Sequence, residues 1–221
     1  MAHVAIGLIG HYPFIRGHPL GAAFKERLDD IDWAPHDVTL KEMNWGPIAI
    51  VQDFQATGEV YDRIVLVGAV DRGLENGTVT CRQWIGGKLD VMGVQQRIFE
   101  AVTGIVSLDN LLVIGAHFGI WPRELITVEI QLSANSVGEL ILEELERHAG
   151  STAPSIIGQD PPSPEVQRIV ERTVHQIRQA ATRGVAGMTT LQTLSAHQLG
   201  PLADVCHNQL IVDCVERTSP N

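Results

Sequence analysis

The chain has 221 residues and a mass of 24.1 kDa, with 44% hydrophobic and 19% charged residues and a mean hydropathy of +0.07. That balance excludes a disordered chain and fits a globular one with a core of its own. Sixteen Lys and Arg against 26 Asp and Glu give a formal charge of −10. No basic stripe interleaved with aromatics accompanies it, which argues against nucleic acid and anionic membranes as partners.

From the N-terminus onward, MAHVAIGLIG lacks a charged n-region, and no apolar run reaches about 18 residues, so the expectation is a chain neither exported nor membrane-spanning. Val4 to Ile9 is the first aliphatic run rich in β-branched residues, and it predicts a buried parallel strand. A helix over Leu20 to Leu28 follows. Arg63 to Val70 (RIVLVGAV) predicts a second buried strand. Glu75-Asn76-Gly77 before Thr78-Val79-Thr80 predicts a hairpin-like turn into an edge strand. Val91 to Val102 predicts a helix, and Leu111 to Ala116 (LLVIGA) a third buried strand. Leu125 to Ile130 alternates Ile126, Val128 and Ile130 with Thr127 and Glu129, the period of a half-exposed edge strand.

Ser136 to His148 has apolar residues at helical spacing and closes a first domain over residues 1–150. Residues 151–163 are rich in Gly, Ser and Pro, the composition of a linker. Pro164 opens a helix through Thr182, since proline at the first helical position leaves no amide unpaired. Residues 164–221 therefore form a helical extension, whose apolar tail either folds back on the core or packs against a second copy, a homo-oligomer. Alternating strands and helices define an α/β fold with a mostly parallel central sheet and edge strands.

In such a sheet, ligands gather outside the carboxyl ends of the strands. The first strand is followed by Gly10 to Gly21, holding His11, His18 and Arg16. Gly68 and Asp71 end the second, and His117, Phe118 and Trp121 follow the third. Histidines and a carboxylate converging from three strand ends suit a divalent metal. The alternative is that His11 and His117 cap strand ends by hydrogen bonding and Asp71 is a turn residue before Arg72-Gly73. The GxGxxG and GxxxxGK[ST] patterns are absent, as is a GxSxG elbow. The cysteines Cys81, Cys206 and Cys214 are odd in number and lack a CxxC spacing, which argues against a disulfide framework or structural zinc and fits a reducing cytoplasm. Cys81 reads as structural, and Cys206-His207 as a fortuitous neighbour pair. Trp45 and Trp121 fall at element boundaries, either as core rims or lining a partner-binding groove.

Residues 4 to 148 resemble the hydrogenase maturation endopeptidase family. The likeness is carried by Ile64 to Gly73 with Gly77-Thr78-Val79, similar to the family's strand ending in Asp-Ala-Val-Asp-x-Gly and its Gly-Thr-Val turn. Leu112 to His117 looks like its Val-Gly-Ile-Gln/Glu-Pro strand, and Ile130 to Val137 like its Gly-Leu-Ser-Pro-x-Val segment. The resemblance implies a three-layer α/β/α, phosphorylase/hydrolase-like fold. It also implies an endopeptidase that trims the C-terminal extension of a nickel-iron hydrogenase large-subunit precursor after nickel insertion, the nickel being supplied by the substrate.

The family's site is altered here. His18 stands where its first carboxylate falls, Gly68 replaces an aspartate, and Asp90 lies where its histidine aligns. The implied metal ligands are His18, Asp71, Asp90 and His117, with His11, Trp45 and Trp121 facing substrate and no catalytic residue assigned. The alternative is a homologue without catalysis, kept as a binding or assembly factor for a hydrogenase subunit or another client. A third reading is an unrelated small-molecule enzyme built on the histidine-rich loop.

Overall fold

The computed structural model describes residues 1–9, 27–43, 45–102, 107–132, 164–189 and 191–200. The strands in chain order are β1 (His3–Ile9), β2 (Asp37–Met43), β3 (Arg63–Val70), β4 (Val79–Trp84), β5 (Glu124–Gln131) and β6 (Gln192–Leu194). The helices are α1 (Pro47–Thr57), α2 (Val91–Val102), α3 (Leu108–His117) and α4 (Pro164–Gly187). The sheet runs β2-β1-β3-β5-β4-β6. Its first four strands are parallel; β4 is antiparallel to β5 and parallel to β6. The connection from β1 goes to one side and that from β2 crosses to the other, so the topological switch point lies between β1 and β3.

Period-2 alternation sends the two side-chain sets of each strand into different layers. Val4, Ile6, Leu8, Val65, Val67, Ile126 and Val128 pack against Leu28 and against Val170, Ile177, Ala180 and Ala181 of α4. Ala5, Ile9, Ile64, Leu66 and Leu125 face Ile50 and Phe54 of α1 and Leu108, Leu111 and Leu112 of α3. Helices thus cover both faces of a mostly parallel sheet, the three-layer α/β/α arrangement.

The strands expected at Val4 to Ile9 and Arg63 to Val70 and the helix over Val91 to Val102 are present. Leu111 to Ala116 is not a strand; it lies inside α3. A short run of aliphatics looks the same to periodicity in a buried strand and a buried helix. What decides is the start: Ser107 caps the helix by accepting from the Asn110 N–H at 3.1 Å, and Asp109 sits in the first turn. The strand likened to the family's at Leu112 to His117 is therefore helix.

The Leu125 to Ile130 segment is not a half-exposed edge strand. β5 pairs on both sides and is buried from Leu125 to Gln131, with Thr127 and Glu129 at 0% exposure. The alternation is real, but its polar side is buried against other polar groups. β4 likewise has neighbours on both sides, because β6 covers Arg82 to Trp84.

β2 and α1 are additional to the elements expected from sequence, and α1 is bounded by Pro47 at its start and Gly58 beyond its end, at φ 64° with its N–H bonded to Phe54 O. The helix expected over Leu20 to Leu28 falls mostly outside the described residues, as do Ser136 to His148 and the 151–163 linker. Beyond the linker, α4 lies on the sheet over β1, β3, β4 and β5. Gly77, at φ 80°, lets it approach closely: a Cβ there would stand 2.6 Å from Ile169 Cδ1.

Candidate functional site

The carboxyl ends of β3 and β5 carry a polar constellation on the α3 side of the sheet. Glu129, fully buried near the end of β5, faces two guanidinium groups. Arg72 Nε and Nη2 each donate to it at 3.2 Å, and Arg82 Nε from β4 lies 3.2 Å away. Arg72 also clasps Asp109 of α3 with two hydrogen bonds, at 2.8 and 2.7 Å, the planar fork matching a carboxylate. Thr127 Oγ1 donates to Glu129 at 3.1 Å. Gln131 accepts from the Arg72 N–H at 2.7 Å and donates to Asp71 at 2.9 Å.

These contacts follow from the alternation: Thr127, Glu129 and Gln131 share one face of β5, and the turn after β3 drops Arg72 beside them. Burial works against the charge on Arg72, but the hydrogen bonds it donates to Asp109 and Glu129 outweigh it and hold the guanidinium charged beyond its usual range. α2 adds a second tier. Arg97 donates to Asn110 Oδ1 at 3.2 Å and lies 3.8 Å from Glu100.

The residues singled out from sequence are placed as follows. Asp71 is exposed at the end of β3, and its Oδ1 accepts from the Gly73 N–H at 3.0 Å, the geometry of a turn residue before Arg72-Gly73. Asp90 is exposed at the start of α2, accepting from the Gly93 N–H at 2.7 Å. His117 is in the last turn of α3, exposed and edge-on to Phe118. Because α3 begins beside the carboxyl end of β3 and runs back along the sheet for ten residues, about 15 Å, His117 lies toward the opposite end from Asp71.

Trp121 precedes β5, with its Nε1 donating to Leu112 O at 3.0 Å and its ring edge-on to Phe54. It lines a groove of about 370 Å³ with Tyr61 and Phe118 at the amino ends of the strands. Trp45 is 68% exposed and lines a separate groove of about 300 Å³ with Lys41, Met43 and Phe54. His11 and His18 lie outside the described residues.

Among the described residues no three His, Cys, Asp or Glu side chains are grouped to hold a metal ion. Gly68 lies in β3 opposite Glu129, and a Cβ built on it would stand 3.4 Å from Leu108 Cβ and 3.7 Å from Ile9 Cβ. The next nearest atom is the Ile9 carbonyl oxygen, at 3.8 Å. Asp71 and Asp90, each held by its own turn, do not by themselves fit a resident metal. The site adds Arg72, Asp109, Glu129 and Arg97 to the residues expected from sequence; the available signal is Thr127, Glu129 and Gln131 on one face of β5, alternating with Ile126, Val128 and Ile130 on the other.

Cys81, on the α4 side of β4, donates to Gln176 Oε1 at 3.4 Å, and burial together with the charge of Glu129 pushes its thiol up to about 11. That suits a structural thiol.

The fold and this site together define an open α/β protein with a buried ion-pair network at its strand ends. It is similar in fold to solved hydrogenase maturation peptidases. One is the hydrogenase 2 maturation peptidase from Thaumarchaeota archaeon SCGC_AB-539-E09, at 16% identity over 80% of this chain and 97% of that one, TM-score 0.42. A second is the [NiFe] hydrogenase maturation protease HycI from Thermococcus kodakarensis KOD1, at 19% over 81% and 92%, TM-score 0.40. A third is the endopeptidase HycI from Escherichia coli, at 16% over 89% and 98%, TM-score 0.45. No protein-family model and no curated protein matches the chain.

Proposed function

We propose that the chain is a hydrogenase-maturation factor that engages the large-subunit precursor at the carboxyl end of its sheet, and that it holds this client without cutting it. The resemblance of Ile64 to Gly73 and Gly77-Thr78-Val79 to the maturation endopeptidases supplies the client, and nickel enters as part of that client. One observation favours holding over cutting. Where the family has an aspartate the chain has Gly68, packed against Leu108 and Ile9, while the nearby carboxyl groups of Asp109 and Glu129 are already engaged by Arg72. An endopeptidase working through metal polarisation of the scissile carbonyl needs donors free to take the metal. Asp71, exposed at the strand end though bonded to Gly73 and Gln131, is the described carboxylate on which the cutting alternative would rest. A cytoplasmic setting belongs to the same reading, and no helix among the described residues is long and apolar enough to cross a membrane.

The deciding experiment incubates the full chain with a nickel-loaded large-subunit precursor, following co-elution and the C-terminal mass of the precursor. The expected result is a stable complex with the mass unchanged, weakened in Asp71→Ala. Shortening of the precursor establishes the endopeptidase instead. Neither association nor shortening removes the hydrogenase client altogether.

A further inference from the structure

After α4 the chain returns to the sheet and ends its described course on the site itself. β6 pairs with β4, the Ile85 N–H donates to Leu194 O at 2.9 Å, and the Ala196 N–H donates to Gly86 O at 2.9 Å. A Cβ on Gly87, at φ 118°, would stand 3.1 Å from Ala196 N, so the two segments run in close contact. Leu194 and Ala196 are buried and Leu199 packs on the same cluster as α3.

At Gly200 both main-chain polar groups are taken by side chains from two helices. Its N–H donates to Asp109 Oδ2 at 3.0 Å, and its carbonyl accepts from Arg97 Nη2 at 2.5 Å. A Cβ on Gly200 would stand 3.4 Å from Asp109 Oδ2, 3.8 Å from Asp71 O and 3.9 Å from Arg72 Nη1. The residue therefore lies over the strand-end constellation.

Each clamping group also has a partner other than Gly200. Asp109 is fixed by the two Arg72 bonds and Arg97 by Asn110. A carboxyl taking an N–H and a guanidinium taking the adjoining carbonyl recognise peptide main chain, whatever side chains the peptide carries, provided the clamped residue is small. Groups fixed beforehand bind with less ordering cost.

We infer that Asp109 and Arg97 form a main-chain clamp for an extended peptide, and that Leu199–Gly200 is its resident, autoinhibitory occupant. An incoming client segment displaces it. That the client is a hydrogenase precursor rests on the function proposed above; the clamp itself does not.

The test uses the full chain and Gly200→Pro, which removes the N–H taken by Asp109 and leaves both clamping side chains in place. Leu199, at ψ 152°, already has the extended backbone a following proline requires, and Gly200 does not have a positive φ. Hydrogen exchange over residues 196–199 is expected to speed by roughly tenfold, the loss of one hydrogen bond to a charged group. A fluorescein-labelled peptide copy of residues 194–203 is expected to bind Gly200→Pro roughly tenfold more tightly than the unaltered chain, by the same loss of internal competition. Adding Arg97→Gln abolishes that gain. Gly200→Val, which keeps the N–H and adds two methyl groups to a Cβ already in contact with Asp109 Oδ2 at 3.4 Å, moves both readings in the same direction by less. Unchanged exchange in both variants, or peptide binding equal in all chains, overturns the clamp. If the peptide behaves as expected but a nickel-loaded precursor binds Gly200→Pro no better than the unaltered chain, the clamp stands and the hydrogenase client falls.

Discussion

β3 has an arginine at its start, Arg63, and another just past its end, Arg72, and each reaches a glutamate of the neighbouring β5. At the amino end Arg63 Nε donates to Glu124 at 2.8 Å, Arg63 Nη1 donates to Ala181 O, and Glu124 accepts from the Val185 N–H. One ion pair there halts one helix: α4 breaks at Gly184, φ 63° and ψ −170°, where a Cβ would collide with the Arg63 and Glu124 side chains. At the carboxyl end Glu129 meets two arginines, Arg72 meets two carboxyl groups, and the chain's own return segment is held by one of them. The same pairing across adjacent parallel strands thus fixes a fold element at one end and builds a multi-membered ion-pair network at the other.

The largest expected effect separates the two ends directly. Glu129→Ala leaves Arg72 and Arg82 sharing a buried site with one acidic partner fewer, and is expected to cost about 3–5 kcal/mol in urea denaturation, the range for breaking a buried pair. Glu124, with 25% of its side chain exposed, has water as an alternative partner, and Glu124→Ala is expected to cost about 1–2 kcal/mol. Equal losses would erase the distinction.

Next comes Gly184→Ala. It places an L-residue at positive φ and drives its methyl into the Arg63–Glu124 pair, for an expected loss of about 2–3 kcal/mol by thermal or urea melting. A neutral outcome would mean that the α4 break is not tied to the amino-end pair. Smaller again is the chemistry of Cys81. With its thiol held near 11 by burial, it is expected to stay unmodified by thiol reagents at neutral pH and to react once the chain unfolds. Rapid labelling located at Cys81 by peptide mass, and so distinguished from Cys206 and Cys214, would show that β4 opens beside Glu129.

Much of the fold was legible because aliphatic runs at β1 and β3 have few alternatives when flanked by turn residues. What was not legible followed from one ambiguity and one assumption. Leu111 to Ala116 is apolar on every side, so its period says nothing, and only Ser107 and Asp109 mark it as helix. Thr127 and Glu129, being polar, read as facing water, whereas their partners, Arg72 and Arg82, arrive from distant segments that periodicity does not see. Asp71 was legible as a strand-end carboxylate, but its companions were not, since Asp109 and Arg97 sit on helices whose packing only the folded chain defines.

The smallest expected effect tests the amino end once more, at Tyr61, two residues before Arg63. Its hydroxyl is pushed up to about 12, first by burial and then by the hydrogen bond it donates to Glu59 at 2.5 Å. A group whose folded value exceeds its ordinary value of 10 stabilises the fold fully below pH 10, and that stabilisation is lost as pH rises toward 12. Lys41, bonded to Glu59 and Asp53, is also shifted upward, so it acts in the same direction. Phenolate absorbance of the folded chain is therefore expected to show one tyrosine titrating near 12, with stability falling over the same window. Because burial is the larger cause, Glu59→Gln is expected to lower that midpoint only part of the way. A full return to the ordinary value would make the amino end, like the carboxyl end, a site set by charge and not by packing.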